Sequence, residues 1–97
     1  MATYVSLINW TDQGVRTFKE TVDRAQAAQQ LAGRFGVNLK EIYWTIGPYD
    51  IVAVSEASDD ESATAFALAL ASQGNVRTTT LRGFSADEMR SIIAKTG

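Results

Sequence analysis

The spacing of apolar residues changes period along this chain, and the order of those changes leaves few folds open. Thr3 to Trp10 reads as a strand, with aromatic and branched bulk at Tyr4, Val5, Leu7, Ile8 and Trp10. Val5 and Leu7 fall on one face; Tyr4, Ile8 and Trp10 fall on the other. Thr11-Asp12-Gln13-Gly14 is polar and turn-like, with side chains able to cap a helix. Steps of three and four then begin at Val15 and run through Phe18, Val22, Ala25, Ala28, Leu31 and Phe35. Thr21 offers a second cap, so this helix is expected to break near Glu20. Gly36 stands where a C-terminal stop belongs.

Leu39 to Ile46 is expected to be the second strand, with Ile42, Trp44 and Ile46 on one face and Tyr43 and Thr45 on the other. Gly47-Pro48-Tyr49-Asp50 is a turn signal. Ile51 to Val54 is a continuous apolar run, the mark of a strand covered on both faces. Ser58 with Glu61 three residues on forms a capping-box pattern. From Ala63 to Ser72, Phe66, Leu68 and Leu70 alternate with smaller residues, but the alanine content and the cap favour helix. Gly74 ends it, and Val76 to Leu81 is the fourth strand. Ser85 with Glu88 repeats the capping-box pattern. It opens a short C-terminal helix within residues 85–97, with Met89, Ile92 and Ile93 on its apolar side.

This element order, βαββαβ, predicts an α+β fold, the ferredoxin-like sandwich. Two helices lie on one face of a four-stranded antiparallel sheet of order 4-1-3-2, joined by right-handed crossovers. A chain of 97 residues fits one domain, residues 1–97. The topology gathers the end of strand one, the turn after strand two and the start of strand four at one edge. Trp10, Thr11, Asp12, Tyr49, Asp50, Asn75 and Arg77 are expected there. The sheet face away from the helices is expected to carry apolar groups from strands one and three. Burying a few hundred Å² of it, at about 25 cal/mol per Å², favours a homo-oligomer through or beside that face.

Charge and composition remove several functions. Nine basic and eleven acidic residues give a net charge of −2, no footprint for a phosphate backbone. Tyr43 and Trp44 could stack bases on the sheet, but the basic glycine–aromatic signature of RNA-recognition domains is absent. No nucleic-acid partner is expected. The chain has neither cysteine nor histidine, which removes the thiolate nucleophile, the imidazole base and the commonest zinc and haem ligands. No metal and no cofactor is expected. Glycine-rich phosphate loops are missing as well. The N-terminus lacks a leader pattern and no run of about 18 apolar residues occurs, so a cytoplasmic protein without a membrane partner is expected.

The remaining candidates for binding are Trp10, Trp44, Tyr49, Asp50, Asn75 and Arg77. Asp50 is either a general base or ligand anchor, or a turn cap or partner of Arg77. Trp44 and Tyr49 either wall a pocket or fill a core or interface. Trp10, at a strand end, has the same two roles open. Arg77 either clamps a carboxylate or phosphate, or neutralises Asp50. Asn75 completes the polar set at this edge. The carboxylate pairs at Asp59-Asp60-Glu61 and Asp87-Glu88 lie at helix starts, where the dipole favours them.

Three segments carry a family resemblance: Gly47-Pro48-Tyr49-Asp50 with Glu41 to Thr45 before it, Thr11 to Gly14, and Gly74 to Leu81. Together they resemble the GYD-domain family, named for a glycine–tyrosine–aspartate signature, over most of the chain. Many members have proline after the residue matching Thr21, where this chain has Val22. The resemblance implies a ferredoxin-like dimeric α/β-barrel fold and self-association. The wider superfamily includes sensors, monooxygenases and haem enzymes, so fold does not choose the chemistry. The expectation is a non-catalytic oligomeric protein that binds or senses a small ligand. The alternative is a cofactor-independent monooxygenase- or isomerase-like enzyme using Asp50, Tyr49, Asn75 and Arg77.

Overall fold

The computed structural model describes all 97 residues. Four strands form one sheet: β1 (Ala2–Trp10), β2 (Val37–Trp44), β3 (Ile51–Ala57) and β4 (Val76–Gly83). The helices are α1 (Asp12–Arg16), α2 (Thr21–Arg34), α3 (Asp60–Ser72) and α4 (Ala86–Ala94). Strand order is β2-β3-β1-β4 and every neighbouring pair is antiparallel, as the element order required.

Local chemistry explains the boundaries. Thr11 caps α1 by accepting from the Gly14 N–H. The first helical stretch does break: a 3-10 turn at Phe18–Glu20 separates α1 from α2. Gly36 leaves α2 at φ 70°, the left-handed region that suits glycine. β2 starts at Val37 and stops at Trp44, two residues earlier at each end than its pattern predicts. A bulge between Leu39 and Glu41 shifts the register, and Ile46 lies fully exposed in the turn. α3 is capped by Asp59, whose carboxylate accepts from the Ser62 N–H at 2.7 Å, and not by Ser58. The capping box at Ser85 and Glu88 forms as written in the sequence.

The helix-side face of the sheet holds the core. Tyr4, Ile8, Val37, Ile51, Ala53, Ala57 and Val76 are buried there, against Ala32, Ala63 and Phe66 of α2 and α3. Residues directly opposite in an antiparallel pair share a face. The register therefore places Val5 with Val54 and Leu81, and Leu7 with Val52 and Tyr43, on the opposite side. No helix of this chain covers that patch.

The molecule is extended for its size. Its radius of gyration is 14.5 Å, against about 12.5 Å for a compact chain of this length. Its accessible surface is 6448 Å², about 1,000 Å² more than the scaling for a compact monomer. Twelve residues are buried, and Phe84, Met89 and Ile93 near and on α4 stay largely exposed.

Candidate functional site

The helix pair does not close over the sheet. Between α2, α3 and the helix-side face lies a cleft with a cavity of about 80 Å³. Its floor is Ile8, Trp10, Ile51, Ala53 and Val76; its walls include Ala25 and Ala28 of α2 and Phe66 and Leu70 of α3. Small helix residues open the space, since alanine places no bulk against the sheet. Polar groups are few: Ser6, Ser55, Thr78 and Thr80 from the strands, with Thr21, Arg24, Gln73 and Asn75 at one end.

That end is closed by a strap, residues 11–20, tied down on both sides. The Thr11 N–H donates to the Asn75 carbonyl at 3.1 Å, and its hydroxyl donates to the Gly74 carbonyl at 2.5 Å. Gln13 donates from Nε2 to the Gln73 carbonyl at 3.1 Å and to the Asn75 side-chain oxygen at 2.9 Å. Gly14 is buried where β4 begins; a Cβ there would lie 2.0 Å from the Asn75 carbonyl oxygen. Arg24 holds the strap from below. It donates to the Gly14 carbonyl at 3.0 Å and to the Thr17 carbonyl and hydroxyl at 3.1 and 2.7 Å.

The six sequence candidates separate into three places. Trp10 and Asn75 line the cleft. Trp10 is half-buried, and its indole Nε1 is fully buried without a hydrogen-bond acceptor on the protein. Asp50 sits behind it and locks the β2–β3 turn onto the end of β1. Its Oδ2 accepts from the Trp10 backbone N–H at 2.9 Å, while its own N–H donates to the Ile8 carbonyl at 2.9 Å. Tyr49 belongs to the same turn, where its carbonyl accepts from the Thr45 hydroxyl at 2.6 Å. Trp44 donates from Nε1 to the Thr21 hydroxyl at 2.9 Å, tying β2 to the start of α2. Arg77 lines a separate groove beside α3 and edge strand β4, with Arg82, Leu68 and Asp60, and forms no ion pair with Asp50.

Arg24 was not among the sequence candidates, and neither were Ser6 and Ser55. Their only signal was position: the strand residues alternate onto the helix-side face, and Arg24 follows Thr21 by one turn. Arg24 is the only ionic side chain lining the cleft. No group of three or more carboxylates is placed to hold a metal. Of the carboxyls with a clear shift, Asp59 and Glu88 lie below their ordinary 3.8 and 4.5, because the Ser62 and Ser85 backbone N–H groups stabilise their anions. Both are helix caps. Tyr4 is held above its ordinary 10.0 by its hydrogen bond to Asp60 at the start of α3.

Sheet order, helix placement and the cleft define the class: an α+β sandwich of ferredoxin-like build. Within it, the GYD domain profile matches residues 4–93, and the chain belongs to the GYD domain family. A curated relative from Thermus thermophilus, the "Glutamine synthetase and cystathionine beta-lyase binding protein", is 36% identical over 90 residues, 92% of this chain and 95% of the relative. A Thermus thermophilus protein of known crystal structure superposes with a TM-score of 0.58 at 28% identity, over 89% of this chain and 96% of that one. The C-terminal domain of the MgtC protein from Mycobacterium tuberculosis shares the fold, with a TM-score of 0.54 at 17% identity over 86% and 88% of the two chains. No helix is long and apolar enough to cross a membrane.

Proposed function

We propose that this chain is a non-catalytic, self-associating binding protein of the cytoplasm, acting as one domain over residues 1–97. Its cleft between the helix pair and the sheet takes a small molecule. The observation that carries this reading is the lining: mostly apolar, with strand hydroxyls, a polar cluster at one end and no carboxylate, histidine or cysteine. The enzyme alternative is weakened because an oxygen of its best base, Asp50, is engaged by a backbone N–H, and Arg77 lines a different groove. Self-association rests on the bare apolar patch and on an excess surface comparable to the roughly 800 Å² that each partner gives a standard interface.

A thermal-shift screen of small apolar and amphipathic molecules on wild type and Ala28→Phe tests the reading. Ala28 lines the cleft, so the phenylalanine fills it. A ligand of the cleft raises the wild-type Tm and leaves the variant unmoved. Equal shifts in both proteins, or none in either, contradict it.

The name of the Thermus thermophilus relative favours a second reading, a protein partner. The exposed apolar side of α4, with Met89 and Ile93, suits such a contact. Co-sedimentation with purified glutamine synthetase that is lost in Ile93→Glu supports it; no co-sedimentation of the wild type removes it.

A further inference from the structure

We propose that the cleft selects a compact, mostly apolar monoanion, a short-chain carboxylate, whose acid head lies at the strap end. The proposal rests on the binding reading above and names its ligand class.

Fourteen of the 22 lining residues are hydrophobic, so the body of the ligand is apolar. The charge at the head follows from Arg24. It is the only ionic group in the cleft, and none of the chain's three salt bridges involves it. The chain is net acidic, so this cation is not one of a general basic surface. An amine placed there would lose hydration beside a like charge; a carboxylate would gain a partner. A guanidinium has five N–H donors. Arg24 spends three on Gly14 and Thr17, which leaves two.

Trp10 supplies the readout. The residue lines the cleft, while its indole nitrogen, a donor only, is fully buried without an acceptor on the protein. A ligand in the cleft changes the surroundings of Trp10, so the indole N–H signal reports its arrival. Asp50 fixes the Trp10 backbone at the end of β1. Size sets the last limit. The cavity of about 80 Å³ is well under the roughly 150 Å³ that accommodates benzene in an engineered core. The ligand is therefore no larger than butyrate, whose six non-hydrogen atoms equal benzene's.

The chain has two tryptophans, hence two indole N–H signals in a ¹⁵N spectrum. Trp44, bonded to Thr21, serves as the internal control. The full chain is titrated with sodium butyrate, n-butylamine and 1-butanol at equal ionic strength. Butyrate is expected to move the Trp10 signal saturably, with affinity about tenfold or more above that of butanol, and butylamine to leave it still. Arg24→Gln is expected to abolish the preference and Arg24→Lys to keep part of it, with melting curves checking both folds. Should Arg24→Gln not fold, the wild-type comparison of the three probes decides alone. Butanol binding as tightly as butyrate overturns the anion assignment and leaves the cleft reading standing. A Trp10 signal unmoved by all three probes overturns both.

Discussion

Gly14 is where strap and strand meet most closely. Its Cα lies so near the Asn75 carbonyl that even a methyl group overlaps it. Gly14→Ala is expected to cost about 1–3 kcal/mol and to lower the Tm by on the order of 10 °C, read by circular dichroism. Asp50 works through the backbone. Asp50→Ala strands the Trp10 N–H and is expected to cost about 1–3 kcal/mol in urea unfolding, whereas Asp50→Asn keeps an acceptor and costs less. The turn role of Asp50 was legible in the sequence as one of its two readings, because aspartate in a Gly-Pro turn has a standard structural use. Its partner was not, since Trp10 is forty positions away and only the strand register joins them. The unpaired indole of Trp10 was invisible for the same reason: a missing acceptor is a property of three-dimensional neighbours.

Among elements, the helices depend on their caps. Asp59 and Glu88 are acids whose carboxyls lie below 3.8 and 4.5 when folded. The unfolded chain therefore binds protons first as the pH falls, and stability falls with it. The caps contribute fully above about pH 4.5 and their contribution drains below it, through the folded values. Urea midpoints measured from pH 6 downward should show this acid limb, and Asp59→Asn, a cap that does not titrate, should flatten it. Tyr4 has the opposite sign. Folding raises its hydroxyl above 10.0, so its contribution is complete below that pH and is lost as pH rises through the folded value. Tyr4→Phe should reduce the alkaline loss, the remainder belonging to Tyr43, which its hydrogen bond to Glu41 also raises. Element order, the break before α2 and the Ser85 box were all readable, because periodicity and caps are local. The start of β2 was not: the bulge at Lys40 depends on pairing with β3, and that pairing gave Val37 and Asn38 strand partners their own pattern did not announce.

For the whole molecule, the bare face and the extended shape belong together. Val5, Leu7, Val52 and Val54 form a contiguous patch at the centre of the sheet, continued by Tyr43 and Leu81 on the outer strands. Val54→Lys places a charge in it without touching the helix-side core. Sedimentation velocity is expected to show wild type as a multimer and this variant as a folded monomer; a variant that stays multimeric puts the interface elsewhere. The cleft lies on the other side of the same sheet, so the proposed binding and the proposed assembly fall on opposite faces of β1 and β3. The most direct test of the whole account is native mass spectrometry of gently purified protein, with denaturing spectra of the same sample. A multimer that carries a defined small mass, lost on denaturation, is expected. A strict monomer with no retained mass contradicts it.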